Sequence, residues 1–230
     1  MVLRISKDYD ERKAEILDAA QELFFTLGYE QTSVNAIIEK VGVAKGTFYY
    51  YFKSKEELLD CLAERISEQA LSAIMDLVDN PDMNAIEKFN SIFARVGAVK
   101  TANRKTVIAL MSVLYRDENI QLRHKMSKGS LDAVVPYLAE VVVQGVSEGL
   151  FDTEFPYEST RLVMMLSANL TEDISEILLK PDLSEQDFDL IEKTYRVCEF
   201  AIERILGAKK GSIKMVSRKL ISNLLSDNEV

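Results

Sequence analysis

Cysteine is scarce in this chain. Cys61 and Cys198 are the only two in 230 residues, and they lie far apart with no metal-ligand spacing. That argues against a disulfide framework and against a thiolate metal site. Histidine is scarcer still, with His124 alone. No glycine-rich phosphate loop, nucleophile elbow or metal-ligand pattern accompanies it, so the reading is of no enzyme, no catalytic residue, no metal and no cofactor. Four prolines and nine glycines, with no long polar low-complexity tract, exclude a mainly disordered chain. No apolar run approaches the roughly 20 residues of a membrane span. The opening residues, MVLRISKDYDERK, are charged and lack the apolar core of a secretory signal. The expectation is a cytoplasmic protein.

What is present is enough apolar material for a sizeable core: 47% hydrophobic residues against 28% charged. The net charge of −9 looks wrong for a partner rich in phosphate. Binding, however, follows the local field rather than the total. Residues 40–55, KVGVAKGTFYYYFKSK, carry Lys40, Lys45, Lys53 and Lys55 and no acid, a basic stripe on an acidic body.

Nearly every segment repeats at helical period, and none reads as a strand, so the fold class is all-α. Ile16, Ala20, Leu23, Phe24 and Leu27 share one face, and Gly28 follows where a left-handed cap ends a helix. Thr32 and Ser33 offer N-cap oxygens to a short helix that buries Val34, Ile37, Ile38 and Val41. The tight turn Gly42-Val43-Ala44 leads to a helix over Lys45–Tyr51, whose Phe48 points inward with Phe52. Ser54 and Glu57 form a capping box that opens a long fourth helix reaching Leu77. Further helices are expected near 83–99, 104–116, 119–126, 128–148, 157–179 and 184–206. A joint at 207–212 then leads to a last amphipathic helix carrying Ile213, Val216, Leu220, Ile221 and Leu224.

Two short helices across a glycine turn are the elements of a helix-turn-helix. Tyr49, Tyr50 and Tyr51 follow Lys45, Gly46 and Thr47 on the second of them. Three successive side chains spread over about 200° of arc, so they cannot all be buried. Exposed tyrosines beside lysines suit phosphates and thymine methyls. Residues 12–60 then resemble the N-terminal domain of the TetR family of transcriptional regulators. The marks are Ile16-Leu17-Asp18-Ala19-Ala20, Leu23-Phe24, Gly28-Tyr29, Thr32-Ser33-Val34, Val41-Gly42-Val43, Lys45-Gly46-Thr47-Phe48-Tyr49, Tyr51-Phe52 and Ser54-Lys55-Glu56-Glu57-Leu58. The resemblance implies phosphate contacts at Thr32, Ser33 and Lys55, and a major-groove entry by Lys45, Gly46 and Thr47. It also implies a base-edge contact by Tyr50 and backbone clamps at Tyr49 and Tyr51. Many family members have histidine where this chain has Tyr51; tyrosine keeps a hydrogen-bonding tip.

The body is expected to bind a small, largely apolar effector and to pair with a second copy. Candidate pocket residues are Phe89, Phe93, Met111, Tyr115, Met126, Leu138, Met165 and Asn169, mixing adaptable methionines with a few polar tips. Phe188, Ile191, Tyr195, Cys198, Ile202 and Ile205 recur by threes and fours as a helix-packing seam. The family resemblance implies a homodimer through the last two long helices, and two-fold symmetry suits a palindromic operator in double-stranded DNA. The domains so read are 10–70 for DNA, 71–207 for ligand and dimer, and 208–230 as a C-terminal amphipathic helix. From Arg204 to Ser226 there are six basic residues and no acid, read as packing on the body. The competing readings are a regulator governed by a protein partner and, more remotely, a helical enzyme.

Overall fold

The computed structural model describes residues 2–102, 104–180 and 182–215. Ten α-helices lie among them: α1 (Val2–Thr26), α2 (Val34–Val41), α3 (Lys45–Tyr51), α4 (Lys55–Ser72), α5 (Met75–Val78), α6 (Ala85–Ala102), α7 (Arg104–Leu114), α8 (Ile120–Ser147), α9 (Pro156–Leu178) and α10 (Glu185–Leu206). A single 3-10 turn, Asp117–Asn119, separates α7 from α8. No strand occurs among the described residues, and no described helix is long and apolar enough to cross a membrane.

The chain divides into two compact units, residues 1–67 with 109–130, and residues 68–108 with 131–230. This departs from the expected linear division, because residues 109–130 join the N-terminal unit. Helices α4, α7 and α8 therefore each belong partly to one unit and partly to the other.

In the first unit Ile16, Ala20, Phe24, Ile37, Phe48, Phe52, Leu58, Leu59, Leu62 and Leu122 make one buried cluster. The helical spacing of these residues, read in the sequence, is what aims them at a common centre. Gly28, at φ 98°, occupies the left-handed region that ends α1. The capping box at α4 forms with a one-residue displacement. Ser54 Oγ accepts the Glu57 N–H at 3.1 Å, while the Glu57 carboxylate accepts the Lys53 N–H at 2.6 Å. Arg65 of α4 ties back to α1 through Asp18 and Gln21 at 2.7 and 2.8 Å.

In the second unit Phe89, Val134, Leu138, Val141, Val142, Phe151, Val163, Ile174, Ile191, Cys198, Ile202 and Leu206 share a core. The ring of Phe151 stands edge-on to Phe89 at 5.7 Å. Ser184 and Asp187 form the expected reciprocal box at the start of α10. Beyond α10 the chain is stitched down by side chains: Glu203 accepts the Ile213 N–H, Asn90 accepts the Lys214 N–H and Glu199 accepts the Met215 N–H. Ile213 and Met215 are buried and not helical. Val216, Leu220, Ile221 and Leu224, on which the expected last helix rests, lie outside the described residues.

Two helix boundaries differ from the sequence reading. The fourth helix stops at Ser72 instead of reaching Leu77, and Leu77 sits on the separate turn of α5. The segments expected at 119–126 and 128–148 are one helix, α8, which continues through Gly129 and Pro136. Gly129 earns its place by proximity: a Cβ there would lie 2.9 Å from Ser67 Oγ of α4.

Candidate nucleic-acid interface

The left-handed Gly42, at φ 74°, caps α2 by donating its N–H to the Ile38 carbonyl. Val43 then also donates to Ile38, and the chain turns into α3 within three residues. Phe48 and Phe52 are buried and fasten the rear of α3 to the core. Its front is left bare. Tyr50 is 72% exposed and Tyr49 45%, with Lys45 and Gly46 also exposed. A Cβ at Gly46 would meet nothing within 4 Å. The protein's own packing therefore makes no demand for glycine there.

Tyr51 is half-buried, and its ring lies 4.7 Å from that of Tyr9; Tyr9 also stands edge-on to Tyr50 at 5.9 Å. The N-terminal part of α1 thus braces the tyrosine row. Sequence reasoning missed Tyr9, because a lone tyrosine before the recognisable motif carries no periodic signal.

Two expected contacts are altered by what the side chains actually touch. Thr32 is fully buried, and its hydroxyl donates to the Gly28 carbonyl at 2.7 Å. It closes the α1–α2 turn from inside and has no hydroxyl to offer a phosphate. Ser33 alone is the exposed N-cap, accepting the Ala36 N–H at 3.1 Å. The Lys55 ammonium donates to the Tyr29 carbonyl at 2.9 Å and sits 4.1 Å from the Tyr29 ring centroid. Its charge is turned inward onto carbonyl and ring, not outward. Lys40 is engaged by Glu22 at 2.7 Å. Of the four lysines in the stripe, Lys40, Lys45 and Lys53 are exposed, Lys40 being the one of these held by an acid. Thr47 is half-buried on the same helix.

A buried amide fixes the other end of this turn. Asn119 is fully buried, its Oδ1 accepting the Tyr29 N–H at 2.8 Å and its Nδ2 donating to the Val113 carbonyl at 2.7 Å. Nearby, Lys125 of α8 bridges Asp60 at 2.5 Å and Glu56 at 3.4 Å on α4. The hydrogen bond to Asp60, before the field of either acid, holds that ammonium above its ordinary pKa. Burial, reinforced by Glu56, pushes the Tyr29 phenol up as well, so it stays a neutral donor.

The expected pocket residues are not gathered in one unit. Met111, Tyr115 and Met126 belong to the first, with Met126 packed on its core. Phe89, Phe93 and Leu138 belong to the second, where they join the body core. Met165, 43% exposed, and Asn169 face outward on α9. The expected dimer seam is likewise turned inward. Ile191, Cys198 and Ile202 are buried, and Phe188, Tyr195 and Ile205 pack against the same core of their own chain. Burial raises the Cys198 thiol to about 11, as an inert core group. The outward large apolar residues of these helices are Tyr157, Leu162 and Met165 on α9 and Leu190, Val197 and Phe200 on α10.

Comparison with known proteins adds independent findings. Residues 16–62 match the family model described as bacterial regulatory proteins, tetR family. The chain is 27% identical over 196 residues to the fatty acid metabolism regulator protein of Bacillus subtilis (strain 168), covering 83% of this chain and 94% of that one. It is also 27% identical over 153 residues to the HTH-type transcriptional repressor KstR2 of Mycobacterium tuberculosis H37Rv, covering 64% and 73% respectively. The crystal structure of RolR in complex with resorcinol shares its fold at a TM-score of 0.61 and 18% identity, over 94% of this chain and 96% of that one.

Proposed function

We propose that this chain, whose residues 16–62 match the family model of the tetR family of bacterial regulatory proteins, is a DNA-binding transcriptional regulator and not an enzyme, as its relatives are named, and that it is a dimeric repressor released from a palindromic operator by a small, largely apolar ligand.

The observation that carries the DNA half is the two-sided character of α3. Phe48 is buried to anchor it, while Tyr50 stands 72% exposed beside Lys45 and a glycine with no packing reason to be one. In this reading Lys45, Gly46 and Thr47 lead into the major groove. Tyr50 reads a base edge or a thymine methyl, Tyr49 and Tyr51 lie along the backbone, and Ser33 meets a phosphate at the start of α2. Tyr9 holds the tyrosines upright for this work.

The dimer is proposed through the outward stripe Leu162, Met165, Leu190, Val197 and Phe200. These residues expose large apolar surface on two adjacent long helices, and a two-fold copy would bury it as an antiparallel bundle. The naming of one relative for fatty acid metabolism, and the solution of a neighbouring fold with resorcinol bound, support an apolar small-molecule effector for the body. Control then follows from linkage: an effector favouring a form whose recognition helices are wrongly spaced weakens DNA binding by the same factor.

Affinity selection of genomic fragments on the purified protein tests this reading. A two-fold symmetric motif is expected among the enriched fragments, with two half-sites one helical turn or a multiple apart. Enrichment that shows no symmetry, or none at all at low salt, counts against it.

A further inference from the structure

Helix α3 is too short to hold its own shape. It has seven residues, and an isolated helix shorter than about 12–15 residues is marginal in water. Buried Phe48 anchors it to the core. Tyr50, on its last turn, has 72% of its surface exposed, so the core does not choose its rotamer. A side chain that is free to turn and is then fixed on binding weakens affinity by about two- to tenfold.

A third ring from another helix meets this difficulty. Tyr9 and Tyr50 stand edge-on with centroids 5.9 Å apart, Tyr9 and Tyr51 lie 4.7 Å apart, and Tyr50 and Tyr51 stand edge-on at 5.1 Å. Each ring touches the other two, at separations where aromatic pairs attract. Tyr50 and Tyr51 are chain neighbours, so Tyr9 is the member that ties the pair to α1. Helical period puts it there: at 3.6 residues per turn Tyr9 lies about 20° from Ile16 around α1, and Ile16 is fully buried in the domain core. Lys13, one turn after Tyr9, lies over the Phe52 ring at 6.0 Å, so this side of α1 follows the end of α3. The family match covers residues 16–62, and Tyr9 stands before it.

We propose that Tyr9 determines operator specificity as a positioning residue: from outside the helix-turn-helix it holds Tyr50 in the rotamer that meets the base edge. This inference rests on the reading of Tyr50 as a base contact and adds to it a residue that acts through Tyr50 without touching a base. A preorganised Tyr50 gives up little freedom on reaching its base. Unrelated DNA is held through its phosphates, which the rotamer of Tyr50 does not govern. The benefit therefore falls on the operator alone.

The test compares the genomic fragment selected by the wild-type protein with a random-sequence duplex of equal length, by fluorescence anisotropy with the full chain. Tyr9→Leu keeps a helix-forming apolar side chain at a half-buried position and removes the ring, so it folds. Its affinity for the selected fragment is expected to fall by about threefold to tenfold, the strength of an aromatic pair, with random-duplex affinity within about twofold of wild type. Tyr9→Phe keeps the ring and is expected to bind the selected fragment within about twofold of wild type. With Tyr50→Ala already present, Tyr9→Leu is expected to change that affinity by less than about twofold, because the side chain it positions has gone.

An undiminished preference for the selected fragment in Tyr9→Leu overturns the proposal. So does an equal loss on both duplexes, the mark of a loosened domain, and so do additive losses in the double variant. Tyr9→Phe failing as badly as Tyr9→Leu also overturns it, because the hydroxyl would then be the working group. Tyr50→Ala alone separates the two levels. Loss in Tyr50→Ala without loss in Tyr9→Leu overturns the positioning role and leaves base reading by Tyr50 standing. Full affinity in Tyr50→Ala overturns both.

Discussion

Replacing Asn119 by alanine should cost this protein a large part of its stability, although the residue sits in a three-residue turn. Its amide does two jobs at once. Oδ1 receives the Tyr29 N–H just past the end of α1, and Nδ2 satisfies Val113, one of the last carbonyls of α7. The donor and acceptor facing it fix which way the amide points, since a flipped group would set N–H against N–H and oxygen against oxygen. Alanine leaves both backbone groups buried and unpaired at about 1–3 kcal/mol each, so the loss is about 2–6 kcal/mol. Against the roughly 5–15 kcal/mol available to a typical domain, that is readily measured. Urea unfolding followed by far-ultraviolet circular dichroism should show a lower midpoint at an unchanged slope. Asn119→Asp keeps the acceptor but turns an oxygen towards Val113. It should therefore be worse near neutral pH than at about pH 5, where a buried acid regains a proton to donate. A loss below about 0.5 kcal/mol for Asn119→Ala would refute the reasoning, because it would mean that the two backbone groups find other partners. The consequence reaches function, since the turn clamped by Asn119 leads directly into α2 and α3.

Other expected outcomes concern separate parts of the molecule. Gly28→Ala combines φ 98° with a Cβ 2.8 Å from Asn119 Nδ2, so it should lower stability by about 1–3 kcal/mol; an unchanged melting temperature would contradict this. Asp187 is held well below the usual carboxylate range, first by Lys180 and then by the Ser184 side chain. A depressed folded-state pKa stabilises above the unfolded value of about 3.9 and loses that effect as pH falls through the folded one. Asp187→Asn should therefore destabilise at neutral pH and lose less on acidification, whereas melting curves that stay parallel to wild type would argue against the cap. Val197→Glu places a charge on a residue 60% exposed in the single chain. It should leave the fold intact and give a monomer by sedimentation, and a persisting dimer would move the interface elsewhere.

Much of this was legible in the residues. The bounds of α3, the Gly28 and Gly42 caps and the boxes at Ser54 and Ser184 were readable because each is a local matter of propensity and side-chain reach. Tertiary matters were less readable. Thr32 has the composition of a phosphate ligand, yet its hydroxyl is claimed by Gly28, a partner set by the turn and not by spacing. Periodicity found the stripes of α10 but could not say which one meets its own core. Ile191, Cys198 and Ile202 took the inner side, and Leu190, Val197 and Phe200 were left outside. A polar run followed by Gly129 looked like a break in α8, whereas the glycine serves close approach to Ser67 within an unbroken helix. The membership of residues 109–130 in the first unit depends on Asn119 and Leu122 reaching that core, which no linear reading displays.

The central claim is that the exposed face of α3 reads DNA, and Tyr50→Ala tests it most directly. Its ring is mostly in solvent, so circular dichroism and sedimentation should match wild type. Affinity for a selected operator fragment should fall by about tenfold or more, with the residual binding to unrelated DNA unchanged. Near-full operator affinity in a folded Tyr50→Ala protein would contradict the account of this interface.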